Sequence, residues 1–246
     1  MAVGQSNNVI AIVQARMGSS RLKGKVLKTL PFFDELTIID HVVLRAIHSK
    51  AINSVIVATS VSAIDDPIEE LCLKNNYSIF RGDEDDVLDR FIKASKMLSD
   101  SDCVVRLTAD NPFIDFKIID SCIEKHFQLS SDYTFTNSLP LGMNVEIVRK
   151  ETLDEVGNLT NKQNYREHVT NYIKDFPDKF SVNIVEQRDY TCPIRLTVDY
   201  PSDYALACYL YKELYKNNKF FGLDELEEFF IDNPWVLFFN NMNVQK

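Results

Sequence analysis

Four short apolar runs with a helical pattern between each pair constrain the first half of this chain most. The runs cover residues 9–13, 54–58, 77–80 and 103–107, each too short for a buried helix and most of them rich in Val and Ile, so each reads as a buried strand. Between the first two, residues 38, 39, 42, 43, 46 and 47 are apolar, which is one face of a helix over 38–49. Asp66-Pro67 reads as a cap followed by the first helical residue, opening a helix to 74. A third helix over 85–98 sets Val87, Leu88, Phe91, Ile92 and Ala94 on one side, behind acids that suit the positive end of its dipole. Strands alternating with crossover helices run parallel, so the expected class is α/β with a mainly parallel sheet in three layers.

After about residue 130 the rhythm changes. Residues 132–136 and 143–148 alternate like strands exposed on one face, a helix is expected over 164–175, and strands near 180–185 and 194–198 follow. This pattern predicts a small antiparallel, β-rich insertion before the chain returns to the sheet. Pro201 opens a long helix over 202–216, and another covers 223–230. No internal repeat or linker divides the 246 residues, so one domain is expected.

Composition excludes several classes. Lys plus Arg number 27 against 36 Asp plus Glu, a net charge of −9, which argues against a general nucleic-acid or anionic-membrane binder. The five cysteines (Cys72, Cys103, Cys122, Cys192, Cys208) form no CxxC pair, so no zinc knuckle or redox motif is expected, only reduced thiols. The N-terminal residues lack a basic and an apolar leader region, and no 18-residue apolar run follows; a soluble, cytoplasmic protein is expected.

The chemistry concentrates directly after the first strand, in Gln14-Ala15-Arg16-Met17-Gly18-Ser19-Ser20-Arg21-Leu22-Lys23-Gly24-Lys25. Residues 15–28 hold five cations (Arg16, Arg21, Lys23, Lys25, Lys28) and no acid. The chain's own composition would place about 1.5 there. Ligands of α/β sheets bind beyond the carboxyl ends of strands. Gly18, Ser19 and Ser20 let backbone N–H groups approach oxygen atoms, while arginine forks and a lysine point charge neutralise polyphosphate. Two familiar phosphate loops are excluded by counting. Gly18 and Gly24 have five residues between them, not four, and Val26 rather than Ser or Thr follows Lys25, so this is not a P-loop. No two glycines stand two apart, as a dinucleotide fingerprint requires.

The run AIVQARMGSSRLKGKVL resembles the signature loop of the sugar-acid cytidylyltransferases, which include CMP-Kdo synthetases, acylneuraminate cytidylyltransferases and the spore-coat polysaccharide biosynthesis protein F type, the last most of all. The resemblance continues through IVATSVSAIDDPIEELC, FRGDEDDVLDRF, VVRLTADNPFID, GMNVEIV, YREHVTNYI and IRLTVDYPSDY, to about residue 215. Lys23, Ala109 and Asn111 depart from it, standing where proline, glycine, and cysteine or glutamate are usual. From Gly222 onward nothing is recognised.

The resemblance implies a three-layer Rossmann-like nucleotidyltransferase. Its nucleotide-binding part covers about 8–130 and 194–217, an acceptor and dimerisation insertion about 131–193, and a helical tail about 218–246. It also implies a reaction in which CTP and a small acidic sugar give a CMP-sugar and pyrophosphate, in a homodimer that needs Mg²⁺. Arg16 and Lys25 then hold the triphosphate, Arg21 clamps it further, and Gln14 and Ala15 read the cytosine edge. Arg81 either closes the nucleotide site or is a surface arginine in a capping turn. Asp110 and Asp199, each expected at a strand end, match positions that hold magnesium, and Asp110 is counted with Arg16 and Lys25 as catalytic. Glu146, Arg166, Glu167 and His168 fall near the acceptor. His41, His48 and His126 read as structural. Two alternatives stay open: a sugar-phosphate or non-sugar phosphate acceptor, and a catalytically silent nucleotide-binding subunit.

Overall fold

The computed structural model describes residues 7–186, 194–217 and 219–243. Strand β1 (Val9–Gln14) is apolar up to Gln14 and is buried on both sides. Its alternation divides two cores: Val9, Ala11 and Val13 face one cluster, Ile10 and Ile12 the other. The chain then runs through α1 (Ile38–Ile47), β2 (Ser54–Ser60), α2 (Asp66–Asn75), β3 (Ser78–Gly82), α3 (Val87–Ala94), β4 (Cys103–Thr108) and α4 (Phe116–Gln128). It continues with β5 (Tyr133–Asn137), β6 (Glu146–Arg149), α5 (Lys150–Leu159), α6 (Gln163–Glu167), α7 (Asn171–Asp175), β7 (Val182–Glu186), α8 (Pro201–Leu214) and α9 (Leu223–Asp232). Side chains of α1, α2, α4, α8 and α9 pack into the first core, and those of α3, α5 and α7 into the second. The result is the expected three-layer α/β architecture.

The strands form one sheet in the order β3-β2-β1-β4-β6-β5-β7. β1 pairs parallel with β2 and β4, and β2 with β3. The expected antiparallel insertion is not a separate layer. β6 runs antiparallel to both β4 and β5, while β7 pairs parallel with β5, so the sheet continues past one reversed strand.

Three local expectations need correction. Residues 194–198 form no strand. Leu196 donates to the Leu141 carbonyl (2.7 Å) and Val198 to the Asp110 carbonyl (2.8 Å), so the segment crosses the end of the sheet and satisfies its N–H groups on two different loops. The helix expected over 164–175 breaks at His168 into α6 and α7, which lets Val169 and Thr170 turn inward and become buried. Asp66 is the first residue of α2 rather than its cap. Asp65 precedes it, with its carboxylate engaged elsewhere.

Cys72, Cys103, Cys122 and Cys208 are buried free thiols; desolvation pushes the first three up to about 12, the fourth to about 11. Cys192 lies outside the described residues. His41 and His126 are buried in the core and burial lowers both to about 4, in keeping with structural roles. No helix among the described residues is long and apolar enough to cross a membrane.

The crossing segment depends on a glycine. Gly142 sits at φ +101, and a Cβ there would lie 2.4 Å from the Thr197 amide nitrogen. Both the left-handed conformation and the backbone contact exclude a side chain. Gly142→Ala is therefore expected to cost about 2 kcal/mol or more, read as a lower midpoint in thermal or denaturant unfolding. An unchanged midpoint would show that the 196–197 segment yields freely.

Candidate functional site

The cationic loop is held at both ends by backbone geometry. Ala15 extends the ladder of β1 by one bond, donating to the Ala58 carbonyl at 3.0 Å. Met17 then donates its N–H to Asp65 Oδ1 (2.7 Å), while Asp65 Oδ2 accepts from Ser60 Oγ (2.6 Å). This buried carboxylate between β2 and α2 pins the loop. Its sequence signal was only an acid beside a helix start. At the far end Gly24 takes φ 60, ψ 26, and a single 3-10 turn over Lys25–Leu27 follows. The turn buries Val26 in the first core and carries Lys25 inward to the carboxyl end of the central strands.

There the Lys25 ammonium lies 2.6 Å from Asp110 Oδ2 and 2.7 Å from Asp199 Oδ1. Asp110 follows β4, where Ala109 donates to the Gln14 carbonyl (2.9 Å). Asp199 follows the crossing segment rather than a strand, and the bond from Val198 to the Asp110 carbonyl sets the two acids side by side. Arg21 reaches Asp199 Oδ1 at 3.1 Å with its guanidinium 4.8 Å above the Tyr200 ring, and Arg195 reaches Asp199 Oδ2 at 2.5 Å. Burial opposes ionisation of Asp199, yet Lys25, Arg21 and Arg195 outweigh it and hold its carboxyl below the usual range.

A cavity of about 380 Å³ opens above these acids. Gln14, Ala15, Arg16, Gly18, Ser19, Ser20, Arg21 and Lys25 line it together with Asp110 and Asp199. Of the five loop cations, Arg16, Arg21 and Lys25 face the cavity; Lys23 is exposed and Lys28 lies over the Tyr204 ring. Among the described residues no three or more His, Cys, Asp or Glu side chains cluster as a metal site. The pair Asp110–Asp199 can still share a cation whose remaining ligands come from a bound substrate.

A second cavity, about 580 Å³, shares Thr108, Asp110 and Asp199 with the first. Glu146 and His168 line it, as do Arg106, Asn144 and Lys174, which the sequence reading did not single out. Arg106 did carry a signal, as a lone charge inside the apolar run of β4. Glu146 is buried between Arg106 (2.6 Å) and Lys174 (2.5 Å) and also accepts from the Tyr133 hydroxyl (2.7 Å). Desolvation alone would raise Glu146, but Arg106 and Lys174 reverse that and bring it down to about 2.

The other residues singled out in the sequence lie elsewhere. Arg81 lines neither cavity; its guanidinium bonds Asp66 (2.7 Å), Glu69 (2.5 Å) and the Ser60 and Ser62 carbonyls, tying β3 to α2. Arg166 likewise lines neither, forking onto Asp86 (2.9 and 2.5 Å) and reaching the Gly157 carbonyl (3.1 Å). Glu167 ends α6 half-buried, outside both linings.

A profile of the cytidylyltransferase family matches residues 10–229. The spore coat polysaccharide biosynthesis protein SpsF of Bacillus subtilis is 38% identical over 211 residues, covering 84% of this chain and 88% of that protein. A cytidylyltransferase structure from Leptospira borgpetersenii superposes with a TM-score of 0.86 at 28% identity, covering 98% of this chain and 100% of that one. The CMP:2-keto-3-deoxy-manno-octonic acid synthetase complexed with CTP shares the fold, with a TM-score of 0.65 at 14% identity over 84% of this chain and 99% of that one.

The Glu146 cluster has a measurable pH signature. A carboxyl lowered from about 4.3 in an unfolded chain to about 2 stabilises the folded state fully above the higher value and loses that contribution as pH falls towards the lower. Glu146→Gln leaves the half-buried Arg106 without its counter-charge and is expected to cost about 2 kcal/mol at pH 7. Lys174, 40% exposed, adds little through solvent screening. The gap between wild type and variant should narrow below about pH 4.3 and close near pH 2. A gap constant across that range would contradict the ionised state of Glu146.

Proposed function

The chain belongs to the cytidylyltransferase family, and from that membership we propose that it transfers CMP from CTP to an acidic sugar of the Kdo or nonulosonic-acid type, releasing pyrophosphate. The observation that carries this reading is a cation-lined cavity above two carboxylates that shares walls with a second cavity, where Arg106 and Lys174 both pair with Glu146. Asp110 and Asp199 in that lining are paired with Lys25, Arg21 and Arg195, so the group of Arg106, Lys174 and Glu146 keeps one positive charge more than negative for an anionic acceptor group. Shared walls at Thr108, Asp110 and Asp199 bring an acceptor next to a nucleotide's α-phosphate.

In this reaction an acceptor hydroxyl oxygen bonds to the α-phosphorus in line and gives up its proton to water, the bond from that phosphorus to the bridging oxygen of the β-phosphate breaks, and pyrophosphate carries the electron pair away. The chain supplies positioning and charge rather than a covalent intermediate. Arg16, Arg21 and Lys25 neutralise the triphosphate, with N–H groups at Gly18 and Ser20 near its oxygens, while the Ser19 N–H is bonded to the Met17 carbonyl at 2.9 Å. The Ala15 N–H is already bonded to Ala58, so base recognition falls to the Gln14 side chain and the Ala15 carbonyl. Asp110 and Asp199 suit Mg²⁺, since both present an oxygen within 2.7 Å of one point, now the Lys25 nitrogen. Mg²⁺ held there would supply charge neutralisation at the phosphate oxygens. Lys25, no longer needed between the carboxylates, would meet phosphate instead. Glu146 and His168 lie on the acceptor side, and residues 131–186 supply an acceptor wall and the dimer contact of a cytoplasmic homodimer, the rest of the insertion to 193 lying outside the described residues.

Mixing the protein with CTP, Mg²⁺ and a panel of acidic sugars, sugar phosphates and other phosphate acceptors tests the reading. Pyrophosphate should appear with an acidic sugar. Release only with a phosphate acceptor would reassign the substrate, and none with any acceptor would make the chain a silent nucleotide-binding subunit. Lys25→Ala is expected to lower turnover about 10²-fold or more, the usual cost of one lost transition-state donor, in a folded protein. Asp110→Asn and Asp199→Asn should each abolish Mg²⁺-dependent release. Near-normal turnover in any of the three variants would remove that residue from the mechanism.

A further inference from the structure

The carboxylate of Asp203 is 1% exposed and receives donors from two separate stretches of the chain. Its Oδ2 accepts the N–H groups of Asp199 (3.0 Å) and Tyr200 (2.9 Å), and Arg195 Nε at 3.2 Å. Its Oδ1 faces the other way and accepts the side-chain amides of Asn240 (2.8 Å) and Asn243 (2.7 Å). Asn240 Nδ2 also donates to the Arg195 carbonyl at 2.8 Å. Both asparagines lie beyond residue 229, where the family match ends.

A buried carboxylate stays in place only when its acceptor positions are filled, because each unmet hydrogen bond to a charged group is costly. The Asp199 and Tyr200 amides and Arg195 Nε fill one side of Asp203, and the asparagines fill the other. The Asp199 amide and Arg195 are thereby fixed at the same time. Arg195 in turn holds Asp199 Oδ2, leaving Oδ1 turned to Lys25 and Arg21 at the cavity.

We propose that Asn240 and Asn243 are positioning residues for the nucleotide site, acting through Asp203 and Arg195 to aim the Asp199 carboxylate. The proposal rests on the reading of Asp199 given under Proposed function. Asn240 lies in the buried interior and Asn243 is half-buried, so the two substitutions differ in their risk to folding. Neither touches the cavity.

Asn243→Ala, Asn240→Ala and Asn240→Asp test it. The last keeps the shape and sets a second carboxylate against Asp203. Two readouts are needed, amide hydrogen exchange across 195–200 in the free protein and steady-state kinetics with CTP and Mg²⁺. Exchange at the Asp199 and Tyr200 amides should rise roughly tenfold or more, as the loss of a hydrogen bond to a charged group implies, with the β1 and β4 amides unchanged. KM for CTP and the Mg²⁺ concentration for half-maximal rate should rise by about the same factor, with a smaller change in kcat. Asn240→Asp should show the largest effect. A purely structural role would lower the unfolding midpoint and leave both concentrations unmoved; that result, or unchanged exchange over 195–200 in Asn243→Ala, overturns the proposal. Wild-type protein that releases no pyrophosphate with any acceptor would count against the functional reading, and exchange alone would then decide the positioning role.

Discussion

One ammonium between two carboxylates organises this molecule. Lys25 meets Asp110 and Asp199 at 2.6 and 2.7 Å, and the three groups come from stretches of chain far apart in sequence. Without the lysine the paired carboxylates would repel each other at the rim of a buried site. Without the acids, Arg21 and Lys25 would lose the carboxylates they pair with, and Arg195 would keep Asp203 alone. The proposed function reads this balance as a place for a divalent cation, which would stand between the acids in the ammonium's stead and leave the ammonium to phosphate.

The sheet delivers these groups through its order. β1 leads outward to β2 and β3 on one side, and β4 begins the run to β6, β5 and β7 on the other. The carboxyl ends of β1 and β4 therefore face a crevice where strand order reverses, the usual ligand position in such sheets. Gln14 and Thr108, paired in register at those ends, both line the nucleotide-sized cavity. The reversed β6 places Glu146 opposite Arg106 of β4, which makes the second cavity a continuation of the first. The crossing segment at 196–198 then closes the end of the sheet and brings Asp199 to Asp110.

Much of this was legible in local pattern. β1 to β4 and their helices appear where apolar spacing places them, because each buries a face whose period the sequence displays. The loop cations were legible because a run of Arg and Lys without acids at a strand end has few structural uses. What stayed hidden depends on partners distant in sequence. Residues 194–198 look like a strand, yet their N–H groups go to Leu141 and Asp110. Arg81 and Arg166 look like ligand-binding arginines, yet Asp66, Glu69 and Asp86 engage them. Asp65 looks like part of a helix start, yet it holds the loop through Met17. Asn240 and Asn243 belong to no motif, and only the fold brings them to Asp203.

The central claim is that Asp110 and Asp199 share one ion on a bound nucleotide while Lys25 moves from carboxylate to phosphate. A crystal of the protein with CTP and Mn²⁺, read by anomalous scattering, tests it most directly. The expected result is a single manganese peak with one oxygen from each aspartate about 2.1–2.2 Å away, as close as the small divalent cations that bind carboxylates lie, and the Lys25 ammonium on a phosphate oxygen. A nucleotide bound with Lys25 still between the two carboxylates, or with manganese on neither, would contradict the account.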